Sequence, residues 1–151
     1  MAKKIHVILG SKSDKTAIQQ GIDLMDKFGV EYKLDILSAH RNAEKLREVC
    51  QAMEKDGIEV VIACAGMAAA LPGFIAAFVD IPVLGVAMKG GMMDGLDALF
   101  SMTSIPRGIG LASTGVGKSA FVNAVIFALS ILSLKDKESR TQLKSIKKEF
   151  E

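Results

Sequence analysis

Two short runs in this 151-residue chain bring chemistry-bearing side chains together. Ser38-Ala39-His40-Arg41 sets an imidazole beside a guanidinium. An imidazole gives and takes protons near neutrality, and a guanidinium is a permanent cation suited to a bound anion. The pairing fits proton transfer next to a small phosphorylated substrate. The plain alternative is a helix-entry residue followed by a surface arginine. The second run, Gly10-Ser11-Lys12-Ser13-Asp14, offers backbone N–H groups and two hydroxyls to a phosphate. Asp14 could accept hydrogen bonds from ribose hydroxyls. Taken alone this run favours an ordinary helix cap, because Ser and Asp prefer that position in any helix.

Other candidates carry less. Gly115-Val116-Gly117-Lys118-Ser119 suggests a nucleoside-triphosphate loop, but that pattern needs a glycine at position 112, where Ala112 stands. It reads as a glycine turn opening a helix, with anion binding as the residual alternative. His6 reads as a strand residue with no chemical role. Two histidines and the separated Cys50 and Cys64 are too few ligands for a metal site. The same two cysteines suit a reducing interior rather than a disulfide.

The elements that must position these runs follow from hydrophobic spacing. Continuous apolar runs predict strands buried on both faces of a parallel sheet. Strands are expected at Ile5 to Leu9, Glu59 to Ala63, Pro82 to Val86 and Ile109 to Ala112, and a second strand, interrupted by charges, at about Glu31 to Leu37. Helical spacing predicts helices over Lys15 to Phe28, Asn42 to Lys55, Leu71 to Val79, Asp94 to Met102, Lys118 to Leu132 and Lys135 to Phe150. Asn42 is the expected N-cap of the second helix. Met88 to Met93, with its paired glycines, is expected to be a mobile loop. Five alternations of strand and helix predict a three-layer α/β/α sandwich with a mostly parallel, flavodoxin-like sheet. In such folds ligands bind outside the carboxyl ends of the strands, where both runs fall. Residues 1–134 are expected to form the α/β domain, with 135–151 a charged helix packed on it or on a neighbouring subunit.

Composition excludes several classes of function. The formal net charge is +2, which gives no footing for a nucleic-acid surface. The apolar run from Val60 to Val79 is broken by Gly66, Pro72 and Gly73, so a membrane span is not expected. The start of the chain lacks the apolar stretch of a signal peptide, so a cytoplasmic protein is expected. The helix from Lys118 to Leu132 is apolar on all sides, which predicts burial on all sides and hence a homo-oligomer.

The motifs occur in an order that resembles the PurE family, 5-(carboxyamino)imidazole ribonucleotide mutase of purine biosynthesis. They are Gly10 to Asp14, Ser38 to Arg41, Ala65-Gly66 with Ala68-Ala69, Leu71-Pro72-Gly73, Pro82 to Val86, Gly95-Leu96-Asp97-Ala98-Leu99 and Ile105-Pro106-Arg107-Gly108. The resemblance covers about Lys4 to Leu134. It implies an octamer and a cofactor-free transfer of a carboxylate from an exocyclic nitrogen to a ring carbon through trapped carbon dioxide. It implies that His40 shuttles protons, that Ser11 and Asp14 bind substrate, and that Arg41 binds phosphate. It places Ser13, Ser38, Gly66 and Met67 along the same pocket. Neither Lys89 nor Lys118 is assigned a contact. The chain differs from the family in the loop after the third strand and at the end of the fourth. Ala70 stands where the family has a second histidine, Met67 where it has a glycine, and Ala87 where it has a proline. Three alternatives follow. One is direct carboxylation of aminoimidazole ribonucleotide, a branch with lysine where this chain has Arg41. Another is a carboxylase of a different heteroaromatic ribonucleotide, similar to the PurE-like domain that serves a nickel pincer cofactor. The last is a non-catalytic nucleotide-binding paralogue.

Overall fold

The computed structural model describes residues 3–151. Met1 and Ala2, where the expected domain begins, lie outside the described residues. The sheet contains β1 (Ile5–Leu9), β2 (Tyr32–Ile36), β3 (Val60–Ala65), β4 (Val83–Ala87) and β5 (Ala112–Val116). Its order is β2-β1-β3-β4-β5, and every pairing is parallel. The helices are α1 (Lys15–Lys27), α2 (Ala43–Met53), α3 (Leu71–Ala76), α4 (Leu96–Thr103), α5 (Gly117–Leu132) and α6 (Lys137–Lys148). This is the flavodoxin-like arrangement expected.

The central strands are buried at every residue, as their unbroken apolar sequences require. Ile5, Val7 and Leu9 of β1 face a core shared with α1, α5 and α6. Ile8, with Val61 and Ala63 of β3, faces the opposite core beside α2, α3 and α4. The edge strand β2 keeps Lys33 and Asp35, charges that discourage pairing with another chain.

β5 lies three residues later than its sequence suggested. The apolar Ile109 and Leu111 precede the strand, and Ala112-Ser113-Thr114-Gly115-Val116 forms it. An edge strand with no fully buried residue does not need a continuous apolar run. The register shifts between Gly85 and Val86, so Thr114 is the extra residue of a bulge. Its hydroxyl donates to the Ala120 carbonyl at 2.6 Å and ties the bulge to α5. The strand then enters α5 at Gly117 with no intervening loop. The glycine turn expected over Gly115 to Ser119 is therefore strand and helix, and no phosphate-enclosing loop exists there.

α5 is not buried on all sides in the single chain: Lys118, Ser119, Asn123 and Phe127 are exposed, and its own chain covers most of the rest. The sheet, α1 and α6 bury nine of its residues, including Phe121, Val125 and Leu129. Its amphipathic neighbour α6 is held by Lys4 to Asp136 at 3.0 Å and Lys27 to Glu149 at 2.8 Å. Phe127, 46% exposed, is the large apolar residue left over on α5. Among the described residues, no helix is long and apolar enough to cross a membrane.

His6 sits in mid-β1 with no exposed surface, and its Nε2 lies 2.9 Å from Asp35 Oδ2. A carboxylate only accepts, so Nε2 carries the hydrogen and Nδ1 is a buried acceptor without a partner. Burial holds its pKa below the usual 6.5, and the Asp35 hydrogen bond opposes this only in part.

Two predictions follow from this packing. The ring of Phe121 fills the notch over Gly21, where an added Cβ would stand about 2.5 Å from Phe121 Cε1. Helix propensity favours Gly21→Ala by about 1 kcal/mol. Overpacking costs about 1–3 kcal/mol, so the variant's Tm falls. For His6, the unfolded state binds its proton more readily than the folded state. Its contribution is complete above about 6.5 and is lost as pH falls below that toward the folded pKa. Denaturant midpoints measured from pH 7.5 down to 5 fall in the wild type, and the slope is shallower in His6→Gln.

Candidate functional site

The carboxyl ends of four neighbouring strands are joined just where their loops begin. Leu37 N–H donates to the Leu9 carbonyl at 2.9 Å, linking the loops after β2 and β1. Gly10 N–H donates to Cys64 at 2.9 Å, linking β1 to β3. Met88 N–H donates to Ala65 at 2.9 Å, linking β3 to β4. Four candidate segments thus stand side by side along one edge. β1 lies at the point where the strand order reverses, the position at which open sheets bind ligands.

The loop after β1 is a 3-10 turn, Lys12–Asp14, capped by Ser11. Ser11 Oγ accepts Ser13 N–H at 3.3 Å and lies 2.9 Å from Ser13 Oγ. Asp14 stands at the N-cap of α1, yet its side chain makes no capping bond. The reading of this run as a plain cap therefore holds for Ser11 and fails for Asp14. The Asp14 carboxyl is half-buried near the Cys64 thiol. Burial raises its pKa, and a backbone hydrogen bond from Ser11 partly offsets the rise. Burial first, and Asp14 second, push the Cys64 thiol well up, so it stays protonated and inert.

The Ser38–Arg41 run is a turn braced at both ends. Ser38 Oγ accepts the N–H groups of His40 at 3.3 Å and Arg41 at 3.2 Å. Asn42 N–H donates to the Ser38 carbonyl at 2.9 Å, and Asn42 Oδ1 accepts Ser38 N–H at 3.2 Å. Asn42 holds the N-cap position as expected, but its side chain reaches back to the turn and makes no capping bond into α2. Ser38 is thereby a brace for the His40 backbone. The His40 and Arg41 side chains are exposed and make no hydrogen bond or ion pair among the described residues.

The loop after β3 contains Gly66, Met67 and Ala70. Met67 has φ +55°, the left-handed region that glycine occupies without cost. Its side chain is 67% exposed, and its Cγ packs beside Gly91 of the next loop. Ala70 opens α3 with an exposed methyl, so no titratable group stands there. The loop after β4 is more structured than expected. Met88 is buried, and Gly90, Gly91, Met93, Asp94 and Gly95 all have positive φ. Lys89 lays its aliphatic stem beside Gly117, and Lys118 is exposed at the start of α5.

Chemically, this edge offers hydroxyls and a carboxylate at β1, an imidazole and a cation at β2, and a small-residue wall at β3. The described residues contain no cluster of metal ligands. Two cavities lie elsewhere. One of about 250 Å³ is lined by Lys4, Asp136 and Gln142 at the opposite end of the strands, and one of about 330 Å³ lies between Gln20, Asn123 and Phe150. Sequence reasoning did not assign Asn42 its bracing role, although its position four residues after Ser38 was visible.

The backbone at Met67 yields a direct test. A β-branched residue is strongly disfavoured at positive φ, so Met67→Val loses about 1–3 kcal/mol in chemical denaturation. Met67→Gly relieves the strain but frees the unfolded chain. The two effects are each about 1 kcal/mol, so its midpoint stays close to wild type.

Known proteins resemble this chain in sequence and in fold. The family model described as AIR carboxylase matches residues 4–151. The N5-carboxyaminoimidazole ribonucleotide mutase of Pseudomonas aeruginosa is 39% identical over 97% of this chain and 90% of its own length. That of Pyrococcus abyssi is 40% identical, over 97% of this chain and 83% of its own. The crystal structure of Treponema denticola PurE superposes with a TM-score of 0.81 at 29% identity, covering 96% of this chain and 89% of that one. The chain is a member of the AIR carboxylase, or PurE, family.

Proposed function

We propose that this protein converts 5-(carboxyamino)imidazole ribonucleotide to carboxyaminoimidazole ribonucleotide, an isomerisation in purine biosynthesis. The observation that carries this reading is the adjacent placement of the Gly10–Asp14 and Ser38–Arg41 turns in a chain of this family. Ser11, Ser13 and Asp14 hold the ribose phosphate from the β1 side, and Arg41 pairs with the phosphate from the β2 side. Gly66 and Met67 line the wall at β3.

His40 moves the protons. The carbamate N–C bond breaks, its electron pair stays on nitrogen, and carbon dioxide leaves. Protonated His40 supplies the proton that the exocyclic nitrogen takes up. The ring carbon then attacks the carbon dioxide, and neutral His40 takes the ring proton. The imidazole ends as it began, and no cofactor is consumed. Recapture depends on holding the gas in place, so orientation matters more than electrophilic power. It also requires a covered site. The exposed Ser11, Ser13, His40 and Arg41 form an open rim in the single chain. A homo-oligomer in the cytoplasm, an octamer by family resemblance, belongs to the same reading, and the exposed Phe127 on α5 is consistent with it.

A second reading has one specific observation in its favour. Ala70 offers only a methyl where the family carries a histidine. This favours direct carboxylation of aminoimidazole ribonucleotide with carbon dioxide.

An absorbance assay with each substrate separates the two. Turnover of 5-(carboxyamino)imidazole ribonucleotide without added bicarbonate is expected. His40→Asn lowers kcat by about 10²–10⁴-fold, the usual contribution of general acid–base catalysis, with substrate affinity little changed. Turnover of aminoimidazole ribonucleotide plus bicarbonate alone selects the second reading. Silence with both substrates, or full activity in His40→Asn, overturns the assignment.

A further inference from the structure

Asp97 lies in the first turn of α4, outside the residues assigned above. Its Oδ1 is buried and has no hydrogen-bond partner among the described residues. Its Oδ2 accepts the N–H of Met92 at 3.1 Å. A buried carboxylate oxygen left unpaired is an expense that native structures rarely carry without a reason.

The reason lies in what the other oxygen holds. The segment from Lys89 to Asp94 is fixed at both ends. Met88 N–H bonds to the Ala65 carbonyl at 2.9 Å. Gly95 sits where a Cβ would stand 3.0 Å from the Met88 carbonyl oxygen and 2.7 Å from Val116 Cγ1. Between these ends, Gly91 has φ +65° and ψ −151°, a conformation essentially confined to glycine. A Cβ there would stand 2.7 Å from Asp97 Oδ2 and 3.3 Å from Met67 Cγ. The Gly91 backbone is therefore clasped between the Asp97 carboxylate and the Met67 side chain. Met67 is also the residue in left-handed conformation next to Gly66.

We infer that Asp97 is a positioning residue for the candidate site. Through Gly91 and Met92 it seats the loop after β4 against Met67, and so sets where the Gly66–Met67 wall stands. The inference rests on the proposed function only for its kinetic readout.

The experiment is a double-mutant cycle on the full chain with Asp97→Ala, Met67→Gly and both together, and Asp97→Asn as the conservative variant. Asn keeps an oxygen for Met92 N–H. Asp97→Ala is expected to lower kcat/KM at least about tenfold, chiefly through KM, and to speed amide exchange across residues 89–94. Asp97→Asn recovers most of both losses. On a Met67→Gly background, Asp97→Ala adds less than about twofold, because the side chain through which it acts is gone. Multiplicative losses in the double variant overturn the inference. So does unchanged exchange over 89–94 in Asp97→Ala. If Asp97→Ala does not fold, the Asp97→Asn pair decides: an exchange rate in that segment as fast as in an unstructured peptide overturns the tether. If the wild type turns over neither ribonucleotide, the proposed function fails. The exchange data for Asp97→Ala with and without Met67 then decide the coupling by themselves.

Discussion

The hydrogen bond from Gly10 N–H to the Cys64 carbonyl is the contact on which the site's layout depends. It holds the first residue after β1 to the end of β3, so the Ser11–Asp14 turn opens beside the Gly66–Met67 wall. Matching bonds from Leu37 to Leu9 and from Met88 to Ala65 extend the seam on both sides. Strands in a sheet lie about 4.8 Å apart, so the loops after β2, β1, β3 and β4 span roughly 14 Å. A ligand lying across that seam meets groups from several strands without any loop having to reach far. The parallel sheet is what allows it, since every strand ends on the same side.

Much of this was legible from residue order. The bounds of β1 are legible in the sequence because Ile5 to Leu9 is buried on both faces and only His6 interrupts its apolar run. β5 stands later than the apolar signal places it because none of its residues is fully buried. Ala-Ser-Thr-Gly-Val carries little apolar signal, while Ile109 and Leu111 look like a strand and only lead into one. The apolar α5 was recognised as buried, but sequence periodicity cannot say by what. α1, α6 and the sheet do most of it within the chain.

The candidate site divides in the same way. The Ser38–Arg41 and Gly10–Asp14 runs are local, so their residues announced themselves. The braces are relations between residues. Asn42 looks like a helix cap until its side chain is seen turned toward Ser38. Asp97 is an ordinary first-turn acid until Met92 is found against it. Asp14 was visible as an acid near a helix start, but its half-burial beside Cys64 was not. Such facts depend on loops from different strands meeting. A linear chain does not display them.

The positive φ at Met67 carries a consequence for engineering. The backbone there already has a shape suited to glycine and is held by neighbouring loops, so side chains without a β-branch share much the same strain and glycine has none. Position 67 can therefore be exchanged among Gly, Ala, Leu, Met, Gln and Lys with the main chain in place. A library restricted to that position would sample the texture of the cleft's inner surface, from bare to bulky or charged.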